Sequence, residues 1–289
     1  MAPAIQIHEA LELDLQQLFL TVTRGRGHRV LDLQPDELRL LVDGRRQEIV
    51  TFAAGEIPLT AILLIDGSAS MDNGRLAAAL RGAQAFVAGM KPLDQAQVMV
   101  FSDRLLARTP VANHQADLAA VLATTPEGGT AVLDHLFLAL DQLEARQGRR
   151  VVVLLSDGMD VDSVLRPAEL EPIVHRSRSI IYWVRLIERS SPRFVDRYPP
   201  NAWYDKRTAE RAFEHLERLV LLSGGRIEKL NGLAAIEPAF REILAELHEQ
   251  YALGFYPDPE RNDGSWRTVR VKLRRSGLRV RTREGFVDH

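Results

Sequence analysis

The hydrophobic positions of this chain change period twice. Leu11, Leu13 and Leu15 alternate with polar residues, and after a slip at Gln16-Gln17 the alternation resumes at Leu18, Leu20 and Val22. Period two with a slip predicts a half-buried strand carrying a bulge, followed by a turn at Gly25 and Gly27. Leu38 to Val42, then Asp43-Gly44, then Gln47 to Phe52 predict two strands joined by a tight hairpin. From Leu59 the texture differs. Apolar runs without alternation, at Ile62 to Ile65, Val98 to Phe101, Val151 to Leu155 and Ile180 to Val184, suit strands covered on both faces. Helical patterns at about 74–90, 130–147, 166–177, 207–222 and 235–250 separate them, and Leu76, Leu80, Ala83 and Val87 show the apolar stripe of the first. After Gln250 the period returns to two: Val269, Val271 and Leu273 alternate with Arg270, Lys272 and Arg274, and a turn is expected at Ser276-Gly277.

Strand and helix in alternation predict an α/β fold, a doubly wound and mostly parallel sheet with helices on both faces. Neither terminal β segment has strands enough to close a core alone, because an isolated hairpin is marginal in water. The two ends are therefore expected to pair into a small antiparallel β-domain. The division that follows is 8–57 for its N-terminal part, 58–250 for the α/β domain and 251–287 for its C-terminal part.

Composition narrows the chemistry. In 289 residues, Lys+Arg 37 against Asp+Glu 39 leaves a formal charge of −2, and 46 % of positions are apolar, so disorder is excluded. No Cys is present, which removes disulfides, Cys-based zinc sites and a Cys nucleophile. The balanced charge gives no whole-molecule field toward nucleic acid or an anionic membrane, and no nucleic acid partner is expected. No apolar run approaches the ~20 residues of a membrane span. Met1 to Ala10 lacks a basic start followed by an apolar block; a chain begun just after a cleavage point would look the same.

In a parallel doubly wound sheet the loops that follow the strands share one edge, where ligands bind. The loop after the first such strand is Asp66-Gly67-Ser68-Ala69-Ser70-Met71. It contains neither of the glycine-rich patterns that cradle nucleotide phosphates. It offers a carboxylate and two hydroxyls at i, i+2 and i+4, an all-oxygen set suited to a hard cation such as Mg²⁺ or Mn²⁺. Gly128-Gly129-Thr130 ahead of a helix and Ser156-Asp157-Gly158 at a strand end could complete the shell. The bland alternative is that Asp66 caps the following helix while the serines bond to backbone.

Asp66-x-Ser68-x-Ser70, Thr130 and Asp157, in this order at the ends of these elements, resemble the metal-ion-dependent adhesion site of von Willebrand factor type A domains, the integrin I-domain family. The resemblance spans roughly 59–250. The flanks, Asp43 to Phe52 and Tyr251 to Phe286, are similar to VWFA-related proteins described from Acidobacteria. The resemblance implies that Ser68 and Ser70 bind the ion directly, Thr130 directly or through water, and Asp66 and Asp157 largely through water. Ala69 stands where many relatives carry Gly, which removes no ligand. Mg²⁺, or Mn²⁺ or Ca²⁺, would be the cofactor. With neutral hydroxyls closest, the ion keeps much of its charge, and a Glu or Asp of a partner protein takes the vacant position. The family also implies an extracytoplasmic location, with a cytoplasmic one left open.

The expected function is thus divalent-metal-dependent protein binding without catalysis. Its rivals are a metal-assisted hydrolase using Asp160 or Asp162 as base and a metal-indifferent scaffold. Asp160 and Asp162 read either as solvated turn acids or as a secondary cation site. Arg189 to Lys206 rises from the same sheet edge and carries Arg193, Phe194, Arg197, Tyr198, Trp203 and Tyr204. Arg193, Tyr198, Trp203 and Tyr204 form the candidate partner rim; an Ω-loop packed on itself is the alternative. The eight Lys/Arg between Arg267 and Arg283 are expected to form a solvated sheet face rather than a polyanion surface. His135 is expected to be an ordinary helix residue, and Trp183 a core residue.

Overall fold

The computed structural model describes residues 15–55, 57–113, 117–187, 206–261 and 263–288, with backbone alone along 206–212. The chain opens with β1 (Gln16–Arg24), β2 (His28–Arg29), β3 (Leu38–Val42), β4 (Arg45–Gln47) and β5 (Thr51–Ala54). The central segment runs β6 (Leu59–Asp66), α1 (Arg75–Ala88), β7 (Gln95–Phe101), β8 (Leu105–Arg108), α2 (Ala119–Leu122), α3 (Val132–Glu144) and β9 (Arg149–Ser156). It continues through α4 (Pro167–Arg176), β10 (Ile180–Leu186), α5 (Lys206–Leu222), β11 (Ile227–Leu230) and α6 (Ile236–His248). β12 (Tyr251–Phe255), β13 (Trp266–Leu273), β14 (Leu278–Arg281) and β15 (Gly285–Val287) close it.

The central sheet has the order β11-β10-β9-β6-β7-β8, parallel except for the edge strand β8. Its middle strand β6 is buried along its whole length, which is why its residues are apolar on both faces. Leu59, Ala61, Leu63 and Ile65 pack with α1 and α6, while Ile62 and Leu64 pack with α3, α4 and α5. Each fully buried Leu or Ile contributes about 1.5–3 kcal/mol. The doubly wound α/β expectation holds. No helix among the described residues is long and apolar enough to cross a membrane.

The chain ends do pair. β1 runs antiparallel to β12 from Gln16↔Phe255 to Leu20↔Tyr251, then to β14 from Thr21↔Arg281 to Arg24↔Leu278. β13 lies between β3 and β15 in a second sheet. Leu18, Leu20, Leu253 and Phe255 of the first sheet meet Leu40, Val42, Val271 and Phe286 of the second in one core, so the two sheets form a sandwich. The Tyr251 hydroxyl fastens its margin, donating to Val30 O (3.0 Å) and accepting from Leu33 N (3.0 Å).

Three local expectations are corrected. The slip at Gln16-Gln17 is not a bulge, because the register with β12 is continuous from Gln16 onward and the slip marks where β1 begins. The hairpin turns at Asp43 and Gly44, both at positive φ, but its second strand ends at Gln47. Thr51–Ala54 leaves that sheet to pair with β12. The cationic C-terminal strands are only partly a solvated face. Arg270, Lys272, Arg274 and Arg279 are exposed, yet Arg267 is fully buried between Asp43 (3.0 Å) and Asp288 (2.9 Å). Arg281 pairs with Glu246, and Arg283 donates to the carbonyls of His175 (3.0 Å) and Ser177 (3.3 Å).

Burial makes the Arg267 pairs costly to break. Arg267→Ala should lower the free energy of unfolding by about 3–5 kcal/mol, measured by urea denaturation; a loss below about 1 kcal/mol, the range of surface pairs, would show that these contacts do not hold the sandwich.

Candidate metal centre

Asp66 is the last residue of β6, and in the parallel register Ile65 lies opposite Leu155 of β9. The ends of these adjacent strands therefore bring Asp66 beside the Ser156-Asp157-Gly158 turn. Asp66 is fully buried. Its Oδ1 accepts from Ser68 N (2.9 Å) and its Oδ2 from the Ser156 hydroxyl (2.7 Å). It does not cap the following helix, because α1 begins only at Arg75 with Gly74 at its N-cap. The Ser68 and Ser70 hydroxyls stand 3.0 Å apart. The Asp157 Oδ1 accepts from Met159 N (2.9 Å).

Backbone hydrogen bonds lock the three loops together. Ala69 N donates to Gly128 O (3.0 Å) and Glu127 N to Gly67 O (3.0 Å), joining the first loop to the second. Val161 N (2.9 Å) and Asp162 N (3.0 Å) both donate to Thr130 O, joining the second to the third. Asp162 returns the contact through Oδ2, which accepts from Thr130 N (3.0 Å). Gly129 is needed for this, since a Cβ there would lie 1.7 Å from that carboxylate oxygen. Asp160 accepts from Leu133 N (3.0 Å) and Ser163 N (3.1 Å), and the Ser163 hydroxyl accepts from Leu133 N and Asp134 N, so these residues cap α3. The two acids that read as turn residues or a second cation site thus hold Thr130 and its helix in place.

The electrostatics are those of a site short of positive charge. Burial first, and the neighbouring Asp157 charge second, push the Asp66 carboxyl up to about 7, against the hydrogen bonds from Ser156 and Ser68. Burial also raises Asp157, opposed by Met159 N and by the charge of Arg75. A doubly charged cation would relieve both. The hydrogen bonds place Thr130 through its backbone N and O; with its hydroxyl added, the candidate set would be two carboxylates and three hydroxyls, the chemistry of a hard ion. Among the described residues no group of three or more His, Cys, Asp or Glu is arranged to hold a metal ion.

Several contributors escape sequence reasoning. Ser156 is spent on Asp66 and, through its carbonyl, on Trp183 Nε1 (3.1 Å). Trp183 is core as expected, but it also fills the space beside Gly158, where a Cβ would come within 2.2 Å of the indole. Arg75 donates to Ser70 O (2.6 Å). Ser102 O accepts from Ala131 N (2.9 Å), and its hydroxyl donates to Asp103 (2.8 Å) beside Gly128. Only the position of Ser156 next to Asp157, alternating in direction along a strand end, could have signalled its role. His135 is buried, stacked on Phe101 at 4.7 Å and bonded to Ala131 O (2.7 Å). Arg193, Tyr198, Trp203 and Tyr204 lie outside the described residues.

Residues 61–159 match the family model of the von Willebrand factor type A domain. That span starts on β6 and ends just past the Asp157 turn, so it includes Asp66, Ser68, Ser70, Thr130 and Asp157: the chain contains a von Willebrand factor type A domain. It is similar to the von Willebrand factor type A protein from Catenulispora acidiphila, at 15 % identity and TM-score 0.48, over 95 % of this chain and 73 % of that one. The ArnB paralog VWA2 from Sulfolobus acidocaldarius is 13 % identical, with TM-score 0.47 over 95 % of this chain and 75 % of that one. The vWF domain of the type V pili tip protein Mfa5 from Porphyromonas gingivalis is 13 % identical, with TM-score 0.45 over 67 % and 95 % respectively. Among curated proteins none matches.

The raised Asp66 carboxyl has a defined pH signature. From its ordinary 3.8 up to about 7, this group binds more protons folded than unfolded, so in ion-free buffer its contribution to stability is full below that window and is lost as pH rises through it. Asp66→Asn removes the effect. The variant's melting temperature relative to the parent should therefore increase from pH 4 to 7 in thermal melts, and a difference that stays flat or shrinks would contradict the assignment.

Proposed function

We propose that this chain is a divalent-cation-dependent protein-binding module. Asp66, Ser68, Ser70, Thr130 and Asp157 would hold Mg²⁺, or Mn²⁺ or Ca²⁺, and leave one coordination position for a Glu or Asp of a partner protein. The observation that carries this reading is a fully buried Asp66 carboxylate, pushed up by burial and by the charge of half-buried Asp157, on the same loop as two hydroxyls in contact with each other at 3.0 Å. Both Asp66 oxygens already accept hydrogen bonds, which fits a carboxylate that meets the ion through water rather than neutralising it. An ion so held stays strongly electropositive, and an external carboxylate becomes its natural partner. Binding rather than turnover is the activity this arrangement favours, because Asp160 and Asp162, the acids a hydrolase reading would use as base, are engaged in holding α3 and Thr130. With the reading goes the extracytoplasmic location that the family resemblance implies.

Calorimetric titration of Mg²⁺ or Mn²⁺ into metal-free protein should show one saturable site. Ser68→Ala and Ser70→Ala, checked for unchanged circular dichroism, should each weaken it at least about tenfold, in the range seen when support for a metal is removed. Proteins captured on the immobilised chain should be released by chelator and lost with Asp66→Ala. Absence of ion binding, or capture indifferent to chelator and to these variants, would leave the scaffold reading standing instead.

A further inference from the structure

A cavity of about 430 Å³ opens at the opposite edge of the central sheet, between the starts of β6 and β7, the end of β8 and the last turn of α3. Thr60 on its wall and Asp66 belong to the same strand, six residues or about 20 Å apart at ~3.3 Å per residue, so the cavity is separate from the candidate metal centre. Its floor holds Ile62 and Gln97, which are register partners on β6 and β7. Gln97 is 5 % exposed. Its Nε2 donates to Thr109 O (2.7 Å), but its Oε1 is buried without a partner. A buried carbonyl left unpaired is unfavourable by about 1–3 kcal/mol, which calls for a donor at this spot.

Arg108 and Arg146 line the same cavity and are exposed, and among the described residues no carboxylate pairs with either. Two free guanidiniums beside an apolar wall suit a carboxylate attached to a short hydrocarbon body. The volume lies within the range of small-molecule sites. We propose that this cavity binds a small organic acid bearing a hydroxyl next to its carboxylate. The acid group meets Arg108 and Arg146, the hydrocarbon lies along Ile62 and Leu143, and the hydroxyl donates to Gln97 Oε1.

Matched probes separate these contributions. Titrating 2-hydroxy-4-methylpentanoate into the full chain should shift amide resonances around Gln97, Arg108 and Arg146 saturably, and 4-methylpentanoate, which lacks only the hydroxyl, should bind at least about tenfold more weakly. Gln97→Met should abolish that preference. The surface double variant Arg108→Gln/Arg146→Gln, with unchanged melting temperature, should weaken both acids about tenfold or more. Binding should be the same with and without Mg²⁺, which keeps the result independent of the metal centre. Lack of a saturable shift, equal competition by inorganic phosphate, binding that survives the double arginine variant, or a soaked crystal holding only ordered water on Gln97 would each overturn the assignment.

Discussion

A fully buried carboxylate, Asp66, beside a half-buried one, Asp157, at the ends of adjacent parallel strands is the constraint around which one edge of this molecule is organised. Burial and the Asp157 charge raise the affinity of the fully buried Asp66 for protons, and desolvation raises that of the half-buried Asp157. Such an arrangement persists only where the surrounding structure over-determines it. Here it is held by the interlocking backbone bonds of three loops, by the Ser156 hydroxyl on Asp66, and by Asp160 and Asp162 pinning the start of α3. Glycine enters where atoms approach too closely for a side chain, at Gly129 against Asp162 and at Gly158 against Trp183.

A second buried charge ties the sandwich to the central sheet. Glu246, near the end of α6, accepts from the Tyr182 hydroxyl (2.6 Å) and from Thr21 Oγ1 (3.1 Å), and pairs with Arg281 and with Arg226 (2.8 Å). Burial works against its charge, yet Arg281 and Arg226 hold its carboxyl below the ordinary range. One residue thereby links β10, β1 and β14 to α6. Alongside it Arg149, fully buried, reaches the carbonyls of Leu247 and Ile57. These contacts satisfy polar groups at the seam that no apolar packing could, and they fix where the C-terminal helix of the α/β part sits against the strands contributed by both chain ends.

The consequence is a division of labour between the two edges of the central sheet. One edge concentrates oxygen donors and buried negative charge. The other ends in the Gln97 cavity with two exposed guanidiniums. The parallel strands deliver their C-terminal loops to one side and their starts to the other, and the antiparallel edge strand β8 brings its own end, with Arg108, back to the side of the starts.

Much of this was legible along the chain. The unbroken apolar runs of β6, β9 and β10 and the stripes of α1 and α6 follow from burial on two faces or on one, a property each segment carries by itself. Asp66, Ser68, Ser70 and Asp157 stood out as oxygen-bearing residues at the ends of predicted strands, and Thr130 as a hydroxyl after two glycines ahead of a predicted helix, in the order of a known family's motif. Other features depended on partners distant in sequence. The swap of β1 from β12 to β14, the departure of β5 from the β4 hairpin, the burial of Arg267 between Asp43 and Asp288, and the service of Ser156 to Asp66 all join residues that no local pattern couples. Periodicity reports how much of a segment is buried. Which neighbour buries it, and whether a charge meets solvent or a counter-charge there, is set only when the separate stretches pack against one another.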